Sequence, residues 1–390
     1  MARLGDYIEQ IRGVSYKPDD ICNPSDSDAV AILRANNIQD DGLNFDDLVY
    51  VKKSKVSDKQ YIQQGDIVVC ASSGSKSLVG KAAIATENCS ISFGAFCKVV
   101  RPKKLIPSYL GYFFQSPKYR STISELSSGA NINNIRNEHI DELDILIVSE
   151  EKQENIANKL DALSNLISLR KQQLSKLDEL VKARFVEMFG DLVFGDKYSD
   201  NKCKIGNIAS VTKLAGFEFT KYIQYKEEGD IIMLRGLNCK KGHLILDDIK
   251  WIDKETSDLL PRSKLYYGDI LMTYAGTIGD VAMVDSDNKY HLAPNVAKIT
   301  LHDKEKCNPL FLIHLFMYSH DYIMTFASQV AQASINMEKI RSFEYFFPPV
   351  QLQNEFTDFV KQIDKSKVEV RQSLEKLETL KKSLMQQYFG

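Results

Sequence analysis

Two stretches of the chain carry apolar residues at alternating spacings of four and three. In the first, Ile156, Leu160, Leu163, Ile167, Leu174, Leu177, Val181 and Met188 keep the pattern, and Arg170 and Arg184 fill its two polar positions. In the second, Phe356, Val360, Ile363, Val370, Leu374, Leu377, Leu384 and Tyr388 keep it, with Lys367 and Lys381 in the gaps. A period of about 3.5 residues sustained this long predicts the seam of a coiled coil. The flanks Lys171, Gln172, Gln173, Lys176, Asp178 and Glu179 are polar, so the stripe is narrow, as two-stranded pairing requires. A cation inside a seam costs stability, but it can fix register or face a partner. Ser149 can cap the first helix, Pro348-Pro349 sets the entry to the second, and Gly190 and Gly195 close the first. At about 1.5 Å per residue, residues 156–188 would extend about 50 Å.

Elsewhere the pattern is mixed. Residues 66–71 and 269–274 read as short buried strands, each after a glycine turn, and 82–86 and 281–284 read as returning strands. Between them, Ser72-Ser73-Gly74-Ser75-Lys76 and Ala275-Gly276-Thr277 read as turns. Residues 109–125 and 311–326 have helical length and amphipathic spacing, with Pro107 and Pro309 at their starts, where proline is tolerated.

These elements come in two similar sets about 200 residues apart. Leu174-Ser175-Lys176-Leu177 returns as Leu374-Glu375-Lys376-Leu377, and Phe189-Gly190 as Phe389-Gly390. Leu33-Arg34 pairs with Leu234-Arg235, Gly65-Asp66-Ile67 with Gly268-Asp269-Ile270, and Ala130-Asn131-Ile132-Asn133 with Ala333-Ser334-Ile335-Asn336. A repeat of this length means two whole domains in tandem. The expected architecture is α+β: globular α/β domains at 1–148 and 191–347, each followed by a long helix, at 149–190 and 348–390. Pairing of the two helices with each other is the simplest use of the seams, and a twofold relation between the halves would make it antiparallel. The alternative is that each helix packs on its own globular domain.

Composition narrows the chemistry. The chain has 390 residues and a formal charge of −2, so no global excess of positive charge advertises a nucleic-acid partner, although a local basic face would suffice. The seven cysteines contain no Cys-x-x-Cys pair, which argues against a zinc site or disulfide framework and suits reduced thiols in the cytoplasm. The N-terminus has no apolar signal core, and the most apolar stretch, residues 310–318, is short and interrupted by His314, so no membrane span is expected. Gly74-Ser75-Lys76-Ser77-Leu78-Val79-Gly80-Lys81-Ala82 has one residue too many for a phosphate loop and an Ala where the metal-binding hydroxyl belongs. No Gly-x-Gly-x-x-Gly follows a strand, and the six histidines show no ligand spacing. The residues thus suggest a reader or scaffold rather than a catalyst.

The run Gly129-Ala130-Asn131-Ile132-Asn133-Asn134-Ile135, then Ile140, then Glu151-Lys152-Gln153 entering a coiled helix, resembles the end of a target recognition domain. So does Ala333-Ser334-Ile335-Asn336, then Ile340, then Phe347-Pro348-Pro349-Val350-Gln351-Leu352-Gln353, and residues 268–282 are similar to the middle of such domains. The ordered set, present twice, resembles the specificity subunit of a type I restriction–modification system over essentially the whole chain. The first half departs from the pattern, with Ser149-Glu150-Glu151 in place of Pro-Pro and an atypical loop at Ser72-Ser73-Gly74-Ser75. The resemblance implies a non-catalytic reader of double-stranded DNA. Each target recognition domain would read half of a bipartite, asymmetric site. The paired helices would set the spacer and dock two methyltransferase subunits, with restriction (translocase and nuclease) subunits as optional additions. S-adenosylmethionine would be bound by the methyltransferase partner, and this chain would bind no cofactor.

Base reading needs Arg, Lys, Asn, Gln or Ser on loops, and phosphate positioning needs cations and hydroxyls. On that ground the candidates in the first half are Lys52, Lys53, Ser72, Ser73, Ser75, Lys76, Asn131, Asn133 and Asn134. Those in the second are Lys213, Lys240, Lys241, Tyr274, Thr277, Gln329 and Gln332. Arg34 and Arg235 hold equivalent repeat positions, where a structural salt bridge and a phosphate contact are equally open. The competing function classes are a stand-alone DNA-modifying enzyme, active as the purified chain, and a coiled-coil scaffold without DNA specificity.

Overall fold

The computed structural model describes residues 1–40, 42–75, 77–126, 133–328 and 333–390. It comprises two compact units, one formed by residues 1–172 with 371–390 and the other by residues 173–370.

In the first unit, Ile67–Cys70 is buried along its whole length. It lies between Cys97–Pro102 and Ala82–Ile84, and Ile8–Arg12 completes a four-stranded antiparallel sheet. Successive side chains of a strand point to opposite faces. Ile67 and Val69 therefore pack with Tyr109, Leu110 and Phe113 of the helix Pro107–Gln115. Val68 and Cys70 pack with Leu33 and Phe93 of a second sheet. With both faces covered, the strand must be apolar throughout, which is why it reads as a continuous run rather than an alternation. In the second sheet Ile91–Phe93 runs parallel to Ala29–Leu33, which pairs antiparallel with Val49–Lys52.

The second unit repeats this topology. Ile270–Thr273 lies between Val296–Leu301 and Val281–Met283, with Ala209–Lys213 at the edge. Ile270 and Met272 face Phe311 and Phe316, while Leu271 faces Leu234 and Leu292. Tyr290–Leu292 again runs parallel to its neighbour, Ile231–Leu234.

The single helix expected over 109–125 is two helices, Pro107–Gln115 and Pro117–Leu126. Pro117 cannot donate to the helix before it and starts a new one, and Ser116 is extended in between (φ −68°, ψ 146°). The corresponding 311–326 stretch divides into Pro309–Tyr318 and His320–Met324 at Ser319. The Ser319 hydroxyl donates back to the Leu315 carbonyl at 2.6 Å and lies 3.0 Å from the Tyr345 hydroxyl. Ser72–Ser73, expected within a turn, is a two-residue strand paired with Asn133–Asn134.

The long helices are Glu150–Phe189 and Val350–Phe389. Each stops at a glycine in the left-handed region, Gly190 (φ +70°) and Gly390 (φ +83°), a conformation that satisfies the last carbonyls at low strain. Each unit holds one half of each helix. In the first unit Ile156 and Leu160 share a core with Met385 and Phe389, and Lys171 lies 3.5 Å from Glu378. In the second, Val181, Phe185 and Phe189 share a core with Phe356 and Val360, and Lys367 lies 2.7 Å from Asp178. In both, the N-terminal half of one helix meets the C-terminal half of the other, so the helices form an antiparallel coiled coil.

The seam positions are buried or half-buried throughout. Ala157, Phe185, Phe189, Met385 and Phe389, beside the seam, are buried as well, because the outer turns also pack on the globular part of their own unit. Pairing and docking on the globular domain, separate alternatives in the sequence, therefore coexist. A repeated glutamine fixes each docking angle. Gln153 accepts from the Ile106 amide at 3.1 Å and donates to the Val148 carbonyl at 2.9 Å. Gln353 does the same with Asn308 at 3.0 Å and Pro348 at 2.8 Å. Among the described residues no helix is long and apolar enough to cross a membrane.

Candidate nucleic-acid interface

In each half, four connections meet at one end of the buried central strand. In the first, the strand leads into Ala71-Ser72, whose amides donate to the Phe96 carbonyl at 2.8 and 3.1 Å. The Ala71 carbonyl accepts from Ile135 at 2.8 Å, and Gly94 donates to Leu33 at 2.9 Å. In the second, Tyr274 donates to the Asn295 carbonyl at 3.0 Å and accepts from Ile335 at 2.9 Å, and Ala293 donates to Leu234 at 3.2 Å. The hydrogen bonds therefore match Ala71 with Tyr274 and Phe96 with Asn295. Backbone bonds hold these connections, which leaves their side chains available to contact a ligand.

Arg34 and Arg235 each enter one of these connections in the same way. Arg34 Nη2 donates to the Asp47 carboxylate at 2.7 Å and to its carbonyl at 2.8 Å. Arg235 Nη2 donates to the Asp248 carboxylate at 2.7 Å and carbonyl at 2.9 Å. The following turn is locked by a buried asparagine that accepts from the arginine's own amide, Asn37 at 2.8 Å and Asn238 at 3.0 Å. The salt-bridge reading of the two arginines is thus the one the geometry shows. The Nε of both is buried without a hydrogen-bond partner among the described residues.

The first-half face opens into a groove of about 800 Å³, lined by Tyr16, Arg34, Asn36, Ser72, Ser73 and Phe96 among others. Ser72 and Ser73 are half-buried, Asn134 is exposed, and Asn134 and Asn133 pair in register with Ser72 and Ser73. Ser75 is exposed, and its amide donates to the Ser73 hydroxyl at 3.1 Å. Lys98, on the interior strand Cys97–Pro102, is buried and donates to Gln10 and Asn137, both at 2.9 Å; burial pushes its ammonium down to about 8. In the second half Lys213 Nζ sits 5.4 Å from the centre of the Tyr274 ring, a cation–π contact at the same end of the sheet. Thr277 is exposed in the turn that follows, where its carbonyl accepts from the Thr273 hydroxyl.

The remaining candidates lie elsewhere or are not described. Lys52 ends Val49–Lys52, the strand beside Ala29–Leu33, and Lys53 starts the short helix after it. Lys240 and Lys241 form the tip of the hairpin made by Cys239–Lys240 and His243–Leu244. Gly242 in that tip is close-packed on Ile313 and Met317, toward the apolar helix Pro309–Tyr318. Lys76, Asn131, Gln329 and Gln332 lie outside the described residues. Sequence reasoning missed Tyr16, Asn36 and Phe96. Phe96 would have stood out only from aligning the two turns, where an aromatic meets the Asn of Pro294-Asn295.

Residues 1–179 and 201–381 each match the family described as type I restriction modification DNA specificity domain. The chain is 37% identical over 278 residues to the type I restriction enzyme EcoKI specificity subunit of Escherichia coli (strain K12), covering 69% of this chain and 60% of that protein. It is 44% identical over 173 residues to the StySPI specificity subunit of Salmonella potsdam, covering 44% and 37%. The match thus spans less than two thirds of the length of either relative. In three dimensions the chain is similar to the crystal structure of a type I restriction–modification S subunit from M. genitalium. The TM-score is 0.57 at 15% identity, covering 100% of this chain and 95% of that one.

Proposed function

The chain belongs to the type I restriction–modification DNA specificity family, and on that premise we propose that it is the DNA-reading subunit of such a complex. Each globular half reads one part of a bipartite, asymmetric site through the face at the end of its central strand. The antiparallel helices set the unread spacer, because two readers on one duplex must engage it at a fixed separation. Two methyltransferase subunits dock on the helical region and bring S-adenosylmethionine with them; restriction subunits can join. The chain itself performs no chemistry and works in the cytoplasm.

The observation that carries this reading is the duplicated face. The same strand order, the same Arg–Asp loop lock and the same meeting of four connections occur twice, while the side chains projecting from them differ. A shared frame with divergent projecting residues is what two readers of different sequences require. The test is DNA binding by the purified chain with and without its methyltransferase. Sequence-dependent binding and methylation only in the joint complex support the reading. Methylation or cleavage by the chain alone would instead favour an enzyme, and binding without sequence dependence a scaffold.

A further inference from the structure

Phe96 is 68% exposed, although a large aromatic gains by burial. Its turn is nonetheless held by backbone hydrogen bonds. The Cys97 amide donates to Gly94 across the turn at 2.8 Å, and the Phe96 carbonyl receives two amides from the neighbouring strand end. A rigidly presented apolar ring, beside the polar side chains of Asn36, Ser72 and Ser73, is suited to a surface that offers apolar and polar features side by side. Base edges in the major groove do so, since a thymine methyl adjoins hydrogen-bonding atoms.

The second half presents the same frame with different residues. At the position of Phe96 stands Asn295, in the left-handed region (φ +67°), and its amide donates to the Tyr274 hydroxyl at 3.3 Å. The aromatic has thus moved across the strand pair, from the turn in the first half to the strand end in the second. One half presents a ring from the turn, and the other presents a ring backed by Lys213.

Resting on the DNA-reading function above, we propose that Phe96 is a specificity-determining residue of the first half-site. It discriminates one base pair by apolar contact with a thymine methyl, and its role is confined to that half-site. Arg34 stays committed to Asp47 and shapes the groove rather than reading through it.

The experiment compares recognition motifs of the wild-type complex and of Phe96→Ala and Phe96→Asn, obtained by sequencing methylated genomic DNA after co-expression with the methyltransferase. In both variants one thymine-containing position of the first half-site should become degenerate, with discrimination there falling roughly fourfold, as the loss of one buried methyl contact predicts. The second half-site and the spacer should be retained, and they report that the variant polypeptide has folded and assembled. Replacing that thymine by uracil, which removes the methyl alone, should weaken binding by the wild type and leave Phe96→Ala indifferent. An unchanged first half-site, degeneracy spread over both half-sites, or equal uracil sensitivity of wild type and variant would overturn the inference. A wild-type complex with no bipartite motif would overturn the functional reading itself, and this inference with it.

Discussion

Lys367 Nζ lies 2.7 Å from a carboxylate oxygen of Asp178 and 3.3 Å from one of Asp364, and Lys367 itself is only 6% exposed. A cation at an apolar seam position of one long helix is thus answered by an acid on the other. Such a pair adds little net stability against an apolar replacement, but losing one partner strands a buried charge. Asp178→Asn should therefore destabilise the second unit by about 1–2 kcal/mol, less than a fully buried pair because Asp364 remains. Lys367→Met should be neutral or slightly stabilising. Urea unfolding of the full chain measures both; a harmless Asp178→Asn beside a damaging Lys367→Met would refute this role.

His314 makes the same unit acid-sensitive. It is buried against Phe356, with Nδ1 3.2 Å from the Tyr318 hydroxyl. Burial first, then the nearby Lys367 and His243, pushes its imidazole down to about 3. An unfolded histidine titrates near 6.5, so between about 6.5 and 3 the unfolded chain takes up a proton that the fold refuses. Stability therefore falls as pH falls through that window, by on the order of 2–3 kcal/mol at pH 4.5. His314→Phe should lose less stability between pH 7 and 4.5 than wild type. Equal losses would mean that other groups dominate the acid response.

The helices can be shortened without breaking their phase. Removing one heptad near Leu174 and another near Leu374 preserves both seams and shortens the pair by about 10 Å at about 1.5 Å per residue. The expected outcome is a spacer shorter by about three base pairs, at about 3.4 Å each, with both half-sites unchanged. Methylation at the original spacing would contradict the ruler.

On the proposed DNA-reading function, Lys213, whose Nζ lies 5.4 Å from the centre of the Tyr274 ring, serves as a phosphate contact. Lys213→Ala should weaken binding to all sequences alike and reduce the slope of log K against log salt by about one unit. A changed recognition motif would assign it a base contact instead.

The seams were legible because a sustained heptad is a one-dimensional signal, and so was the central strand, because burial on both faces makes it apolar throughout. What escaped was set by tertiary contact. Phe185 and Phe189 lie off the strict seam, and their burial follows from docking on the second unit's own core, with Phe311 5.8 and 5.1 Å away. The break at Pro117 was written in the sequence, but amphipathic spacing continues across it. Arg34 and Arg235 were visible as a repeated pair, and Asp47 and Asp248 follow them at the same spacing of 13 residues, but that spacing alone does not say that the loop returns to the arginine. Nothing in the first half alone marked Phe96, since its exposure is decided by the turn that carries it.

The most direct measurement is the methylated motif produced when this chain is expressed with its methyltransferase. Two short, dissimilar specified sequences separated by a gap of constant length are the expected result. A single continuous motif, or two sequences separated by a variable gap, would contradict the claim that two joined readers each take one part of the same duplex.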